Sequence, residues 1–206
     1  MSIVHLIDTL TDWAKTNICS QIKLKVPPSN EAAVDAGYEY KLVTPAAFSM
    51  YIPTSDKLPP SIFSPFPSLC VGFVNGEDTP ATGRGAVDVQ LMFSTWDPGL
   101  HGEDWLIPTK YKEWKQWSGE DAENYFQRSG DGWRDAWNFV DIALRKLEST
   151  TNINGFVIDR ASPIKFGPLN EQEAIPDLYA TWFAWVSFRV TYPLTQRNIE
   201  NIQDLL

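Results

Sequence analysis

Apolar residues recur along this chain with two different periods. Ile3, Leu6, Ile7, Leu10, Trp13 and Ala14 come at spacings of three and four, which predicts an amphipathic helix over 3–15. A second stripe, Trp133, Ala136, Trp137, Val140, Ala143, Leu144 and Leu147, predicts a helix over 132–148 with a broad apolar face. The charges around the second stripe have structural uses. Asp131 stands where a carboxylate accepts from unpaired backbone N–H groups and meets the positive end of the helix dipole. Asp141 and Arg145 form an i,i+4 pair on the wet face, and Lys146 is near the negative end. Asp131, Asp135 and Asp141 are therefore read as groups that organise and solvate the helix.

Elsewhere the period is two. In "AVDVQLMFST", Val87, Val89, Leu91 and Phe93 face one way and Asp88, Gln90, Met92 and Ser94 the other, a half-buried strand over 86–95. "SLCVGFV" predicts a short buried strand over 68–74. "GFVID" and "PIKFG" predict short strands near 155–159 and 163–166. "LYATWFAWVSFRVTY" predicts the longest strand, over 178–191, with Trp182, Ala184, Val186, Phe188 and Val190 on its core face. Its other face starts apolar at Phe183 and Trp185 and turns polar at Ser187, Arg189 and Thr191. Those two rings need cover from the second helix or from another subunit.

Between these segments the chain is irregular. Eight of the fifteen prolines fall between residues 27 and 67, which predicts extended loop with short edge strands. "NGEDTPATGRG", Asn75 to Gly85, is polar and rich in turn formers and reads as a mobile loop. Residues 97–130 show no period, and a connection that long is usually functional or an interaction element. The tail "TQRNIENIQDLL" predicts a last helical turn. These elements predict a single α/β (α+β) domain over 1–206, with 97–130 as an insertion: a mostly antiparallel sheet with two main helices on one face.

Composition narrows the function. At 206 residues with 43% hydrophobic and 21% charged residues, the chain can build a core and reads as soluble. A net charge of −9 argues against gripping nucleic-acid phosphates. Cys19 and Cys70 form no CxxC pair, so neither a zinc site nor a disulfide framework is expected, and a reducing cytoplasm is the default. "MSIVHLIDTLTDWAK" lacks a basic leader and no apolar run reaches membrane-spanning length, so neither a signal peptide nor a membrane partner is expected.

Catalytic signatures are sparse. His5 reads as a solvated helix residue. His101 lies near Asp97, Glu103 and Asp104, but without the fixed spacing of several His or Cys ligands that marks a metal site. "GEDTPATGRG" lacks the Lys-Ser/Thr pair of a P-loop, and no G-x-S-x-G elbow occurs. Asp131 and Asp135 raise the question of paired-carboxylate chemistry. Nine tryptophans, with Trp105, Trp114 and Trp117 in the insertion, raise that of an aromatic carbohydrate-binding platform. The structural alternative, in which these indoles anchor the insertion or fill a subunit contact, is preferred.

"FPSLCVGFVNGED", "VDVQLMFSTWDPG", "GDGWRDAWNFVDIALRKL" and "WFAWVSFRVTYP", in that order over roughly residues 41–192, resemble the tail terminator proteins of long-tailed bacteriophages and phage-like elements. The insertion between Trp96 and Asp131 is longer than the simplest members carry. The resemblance implies a structural virion protein with no enzymatic activity, cofactor or metal. Such proteins close into a ring, usually of six copies, at the head-proximal end of the tail. The implied partners are the subunit itself, the tail tube protein and a head-completion or neck protein. DNA passes through without specific binding, and the acidic charge suits that passage. The implied location is the virion tail, with host cytoplasm during assembly. Candidate subunit or tube contacts are Asn75, Glu77, Asp78, Arg84, Trp114, Trp117, Phe183 and Trp185. Another neck or head–tail joining protein is the nearest alternative.

Overall fold

The computed structural model describes residues 2–28, 41–62, 64–97, 132–169 and 180–194. The predicted tail turn, the Asp131 cap and the interior of the insertion lie outside these residues.

The first stripe forms helix α1, Ile3–Asn17. Ser2 Oγ accepts from the Val4 N–H at 3.1 Å, satisfying one orphan donor of the first turn. Leu6, Ile7, Leu10 and Ala14 are buried along one side. The helix closes with the Ile18 N–H on the Ala14 carbonyl, followed by a 3₁₀ turn, Cys19–Gln21. Strands β1 (Leu24–Lys25) and β2 (Leu42–Val43) then make a small antiparallel pair.

The main sheet contains β3 (Ala46–Ser49), β4 (Ser68–Thr79), β5 (Arg84–Trp96), β6 (Asn152–Ile153), β7 (Phe156–Ile158), β8 (Lys165–Pro168) and β9 (Thr181–Pro193). Its order is β3-β4-β5-β9-β7-β6, with β8 also on β9. Among the described strands only β3 and β4 are parallel neighbours. At the centre, β5 and β9 pair without a slip from Arg84↔Pro193 to Trp96↔Thr181. Side chains alternate across a strand, so this register puts Val87, Val89, Leu91 and Phe93 on the same face as Ala184, Val186, Phe188 and Val190. That face forms one core cluster with α1 and with α2, Trp133–Ser149. Phe139 of α2 meets Phe93 edge-on, centroids 4.9 Å apart, and both rings are fully buried.

The α+β expectation holds: two helices lie on one face of a mostly antiparallel sheet. The differences in detail have local causes. Asn75–Gly85 is not a loop but the outer part of a hairpin in which β4 runs on to Thr79 and β5 begins at Arg84. Only Pro80–Thr82 and Gly83 turn, Gly83 at φ 64°. The backbone of β9, paired as far as Pro193, supports this polar segment and overrides its weak strand propensity. The strand expected over 155–159 is one arm of a two-residue hairpin, β6–β7. Asn154 (φ 49°) and Gly155 (φ 94°) form its turn, the Asn-Gly signal of primed hairpin turns. β8 starts at Lys165, two residues beyond Pro163.

The helix charges are also wired differently. The residue capping α2 is Gly132, with no side-chain bond. Arg145 Nε donates to the Asp141 backbone carbonyl at 3.2 Å, so the bond goes to backbone and not to the carboxylate. Beyond Lys146, the last turn is held by Arg160, which donates to the carbonyls of Leu147, Glu148 and Thr150.

Two core substitutions should move stability in opposite directions. Phe139→Ala removes a ring from the helix–sheet contact and should cost about 3–5 kcal/mol. Thr95 Oγ1 is buried with no hydrogen-bond partner. Thr95→Val should therefore stabilise by about 1–2 kcal/mol, since it deletes a desolvated hydroxyl. Urea midpoints, with unchanged m-values, measure both; loss of stability in Thr95→Val would show that the hydroxyl is satisfied.

Candidate assembly interface

The sheet face turned away from the helices is divided along its strands. At one end Ser68 and Ser94 pair across β4 and β5, their hydroxyls 2.7 Å apart and fully buried. Phe183 and Trp185 of β9 lie at this end. The second helix does not cover them, because it packs on the opposite face. Phe66 meets Phe183 edge-on at 5.9 Å. Trp185 Nε1 donates to the Pro168 carbonyl at 2.9 Å. Gly167 permits this approach: a Cβ there would stand 3.1 Å from the indole. Groups of the same chain thus meet both rings and leave each half-buried.

The other end of this face is ionic. Arg189 reaches Asp88 on the neighbouring strand at 2.9 Å and Glu77 on β4. Burial pulls the Arg189 guanidinium down, but the hydrogen bond to Asp88 and the charges of Asp88, Glu77 and Asp159 hold it above its ordinary value. Asp159, bonded by Ser162 Oγ and the Ala161 N–H, is held below its ordinary 3.8. Around the hairpin, on the helix side, Asp78 accepts from the Tyr192 hydroxyl at 3.1 Å. Glu77 and Asp78 are therefore hairpin fasteners as well as surface charges. Asn75 and Arg84 stand exposed on the same hairpin. The structure brings these four candidates together and sets Phe183 and Trp185 towards the opposite end of the strands; Trp114 and Trp117 lie outside the described residues.

A feature that sequence reading missed lies where the insertion leaves and rejoins the body. Lys25 Nζ meets Asp97 Oδ2 at 2.7 Å, and the Asp97 N–H donates to the Ala180 carbonyl at 2.9 Å. Trp182 Nε1 donates to the Asp97 carbonyl at 3.1 Å. Gly132 presses on the same group: a Cβ there would lie 2.4 Å from Trp182 Nε1 and 2.7 Å from the Asp97 carbonyl oxygen. Any larger residue must move backbone, so position 132 requires glycine for close approach. The chain thus departs at Asp97 and returns at Gly132 in one place. Asp135, one turn into α2, is half-buried beside this junction and is not a solvated surface carboxylate. Burial and the Asp97 charge raise it above 3.8, and Lys25 offsets part of the rise. No periodic signal links Lys25 to residues 72 and 110 positions further on, which explains why the pattern did not reveal the cluster.

Cys19 and Cys70 are buried thiols, pushed up by burial to about 12 and about 11. Among the described residues no group of three or more His, Cys, Asp or Glu could hold a metal ion. No described helix is long and apolar enough to cross a membrane. An open groove of about 450 Å³ runs between Val26, Val43, Ala47, Ile62 and Phe66, with Lys15 its only charged lining residue among those described. No protein-family model matches the chain, and no curated protein matches it.

Asp135 generates a pH test. Its folded pKa is raised, so the folded state binds more protons than the unfolded state across the window above 3.8. Its contribution is fully present below 3.8 and is lost as pH rises through the folded value. Asp135→Asn should therefore match the parent below that window and become progressively more stable than it towards neutrality. Thermal melts across pH check this; a constant difference at all pH values would refute the assignment.

Proposed function

We propose that this chain is a structural assembly protein, a tail terminator. In this role it closes into a ring, caps the tail tube and offers a surface for head docking. One observation carries the reading: the four motifs quoted above, in their order, make up the central elements β4, β5, α2 and β9. Two features support it. The net charge of −9 fits a lumen that lets DNA pass without holding its phosphates. The β4–β5 hairpin leaves Phe73–Arg84 exposed at a sheet edge, the kind of surface that assembly covers.

On this reading the partners are other copies, the tail tube protein and a head-completion or neck protein. The protein sits at the head-proximal end of the tail in the virion and in host cytoplasm before that. No residue is assigned a catalytic role.

Negative-stain microscopy of purified protein, alone and mixed with tail tubes, tests the proposal. Closed rings, or density capping one end of each tube with growth arrested there, are the expected result. A protein that stays monomeric with and without tube ends, and leaves tube growth unchanged, would remove it.

A further inference from the structure

The sheet has two unlike edges. On one side β3 accompanies β4 only from Ser68 to Val71. Among the described residues, Gly72–Thr79 of β4 has a strand partner only in β5. On the other side β8 pairs with β9 from Ala184 to Ser187 and has no second strand among those described. A strand edge with no second strand beside it is a template for another strand.

Exposed apolar side chains gather at these edges. Nine large hydrophobic residues are exposed among those described, and four belong here. Phe73 and Val74 are 37% and 62% exposed on β4, Phe166 is 53% exposed on β8, and Val157 is 40% exposed on the adjoining β7. Charge differs between the edges as well. Glu77 and Asp78 are the charges of the β4 run, and Lys165 is the charge of β8.

Facing and direction also agree. Glu77 registers with Ala86, and Lys165 with Ser187, so both stand on the face away from the helices. Phe73 registers with Val89, and Phe166 with Val186, on the helix side. Counted across the antiparallel pairs, β8 runs opposite to β4. A rotation that preserves strand direction therefore brings a neighbour's β4 antiparallel to β8. Acid then meets lysine on one face, and on the other Phe166 stands opposite Gly76, with Phe73 its diagonal neighbour one same-face position along. Lys165 is level with Gly72, through Ser187 and Gln90. Matching it to Glu77 needs a stagger of about 15 Å at ~3.3 Å per residue, the kind of offset that closing a sheet of tilted strands requires. The bulge after Phe73 and the missing N–H of Pro168 keep the join short.

We propose that the Gly72–Thr79 edge of one copy joins the β8 edge of the next, continuing the sheet from subunit to subunit. The inference rests on the assembly reading above and specifies its contact. Two different patches meet, so the contact is heterologous and repeats around a ring.

Crosslinking with a short bismaleimide tests it. Asn75→Cys and Lys165→Cys both place thiols on exposed positions of the outer face. The native thiols are buried and held protonated, so they compete little. The double variant should give a ladder of dimer, trimer and higher species on a denaturing gel. Each single variant should stay monomeric, and an equimolar mixture of the two singles should stop at dimer. Lys165→Glu should lower ring yield at least tenfold, whereas Lys165→Arg should retain it. Dimers from Asn75→Cys alone, or no ladder from the double variant, would overturn the edge contact. If rings or capped tubes form without the ladder, the edge inference fails and the assembly reading stands. A ladder from protein that never caps tubes would uphold the edge contact and remove the tail-terminator role.

Discussion

The pairing of β5 with β9 is the constraint on which the rest of the structure depends. Both strands are 13 residues long and stay in register throughout. Because side chains alternate with period two, a slip of one residue would turn every Val, Leu and Phe of one strand from the helices to the opposite face. Burial of that face against α1 and α2 makes such a slip very costly. The pair also serves as the template for what flanks it: β4 builds on β5, while β7 and β8 share the far edge of β9. Even the polar end of the hairpin is ordered by it, since β9 reaches Pro193 and holds Arg84 in line.

The same register organises the charges. Arg189 stands opposite Asp88 across the pair and extends to Glu77 one strand further. Three strands are thereby tied by one guanidinium, which suits arginine because its fork can serve two carboxylates together. Such a partly exposed cluster contributes modestly to stability. It also fastens the hairpin to β9, while Gly72–Thr79 of β4 has β5 as its one strand neighbour among the described residues.

Much of the architecture was legible from spacing alone. Both helices and the long strands came from apolar periodicity, because a two-layer fold imposes a period of 3.6 on what packs over a sheet and of 2 on the sheet itself. The hairpin was not legible: its residues are turn formers by type, and a neighbouring strand makes them extended. The β6–β7 hairpin did carry a readable sign in Asn154-Gly155. Of the candidate site, the acidic hairpin residues were identified as exposed polar groups, but their bonds to Arg189 and Tyr192 span more than a hundred positions.

By itself, then, the sequence determined the class of fold, which face of each long element is buried, and a net charge of −9. These depend on residue type and local spacing. Tertiary structure alone decided that Asp135 is half-buried beside Asp97 and Lys25, that Arg160 closes the second helix, and that Phe66 and Pro168 meet the rings at 183 and 185. It also decided which strands stand side by side in the sheet. Such outcomes depend on which distant segments become neighbours, and burial, dielectric environment and strand pairing all arise from that proximity.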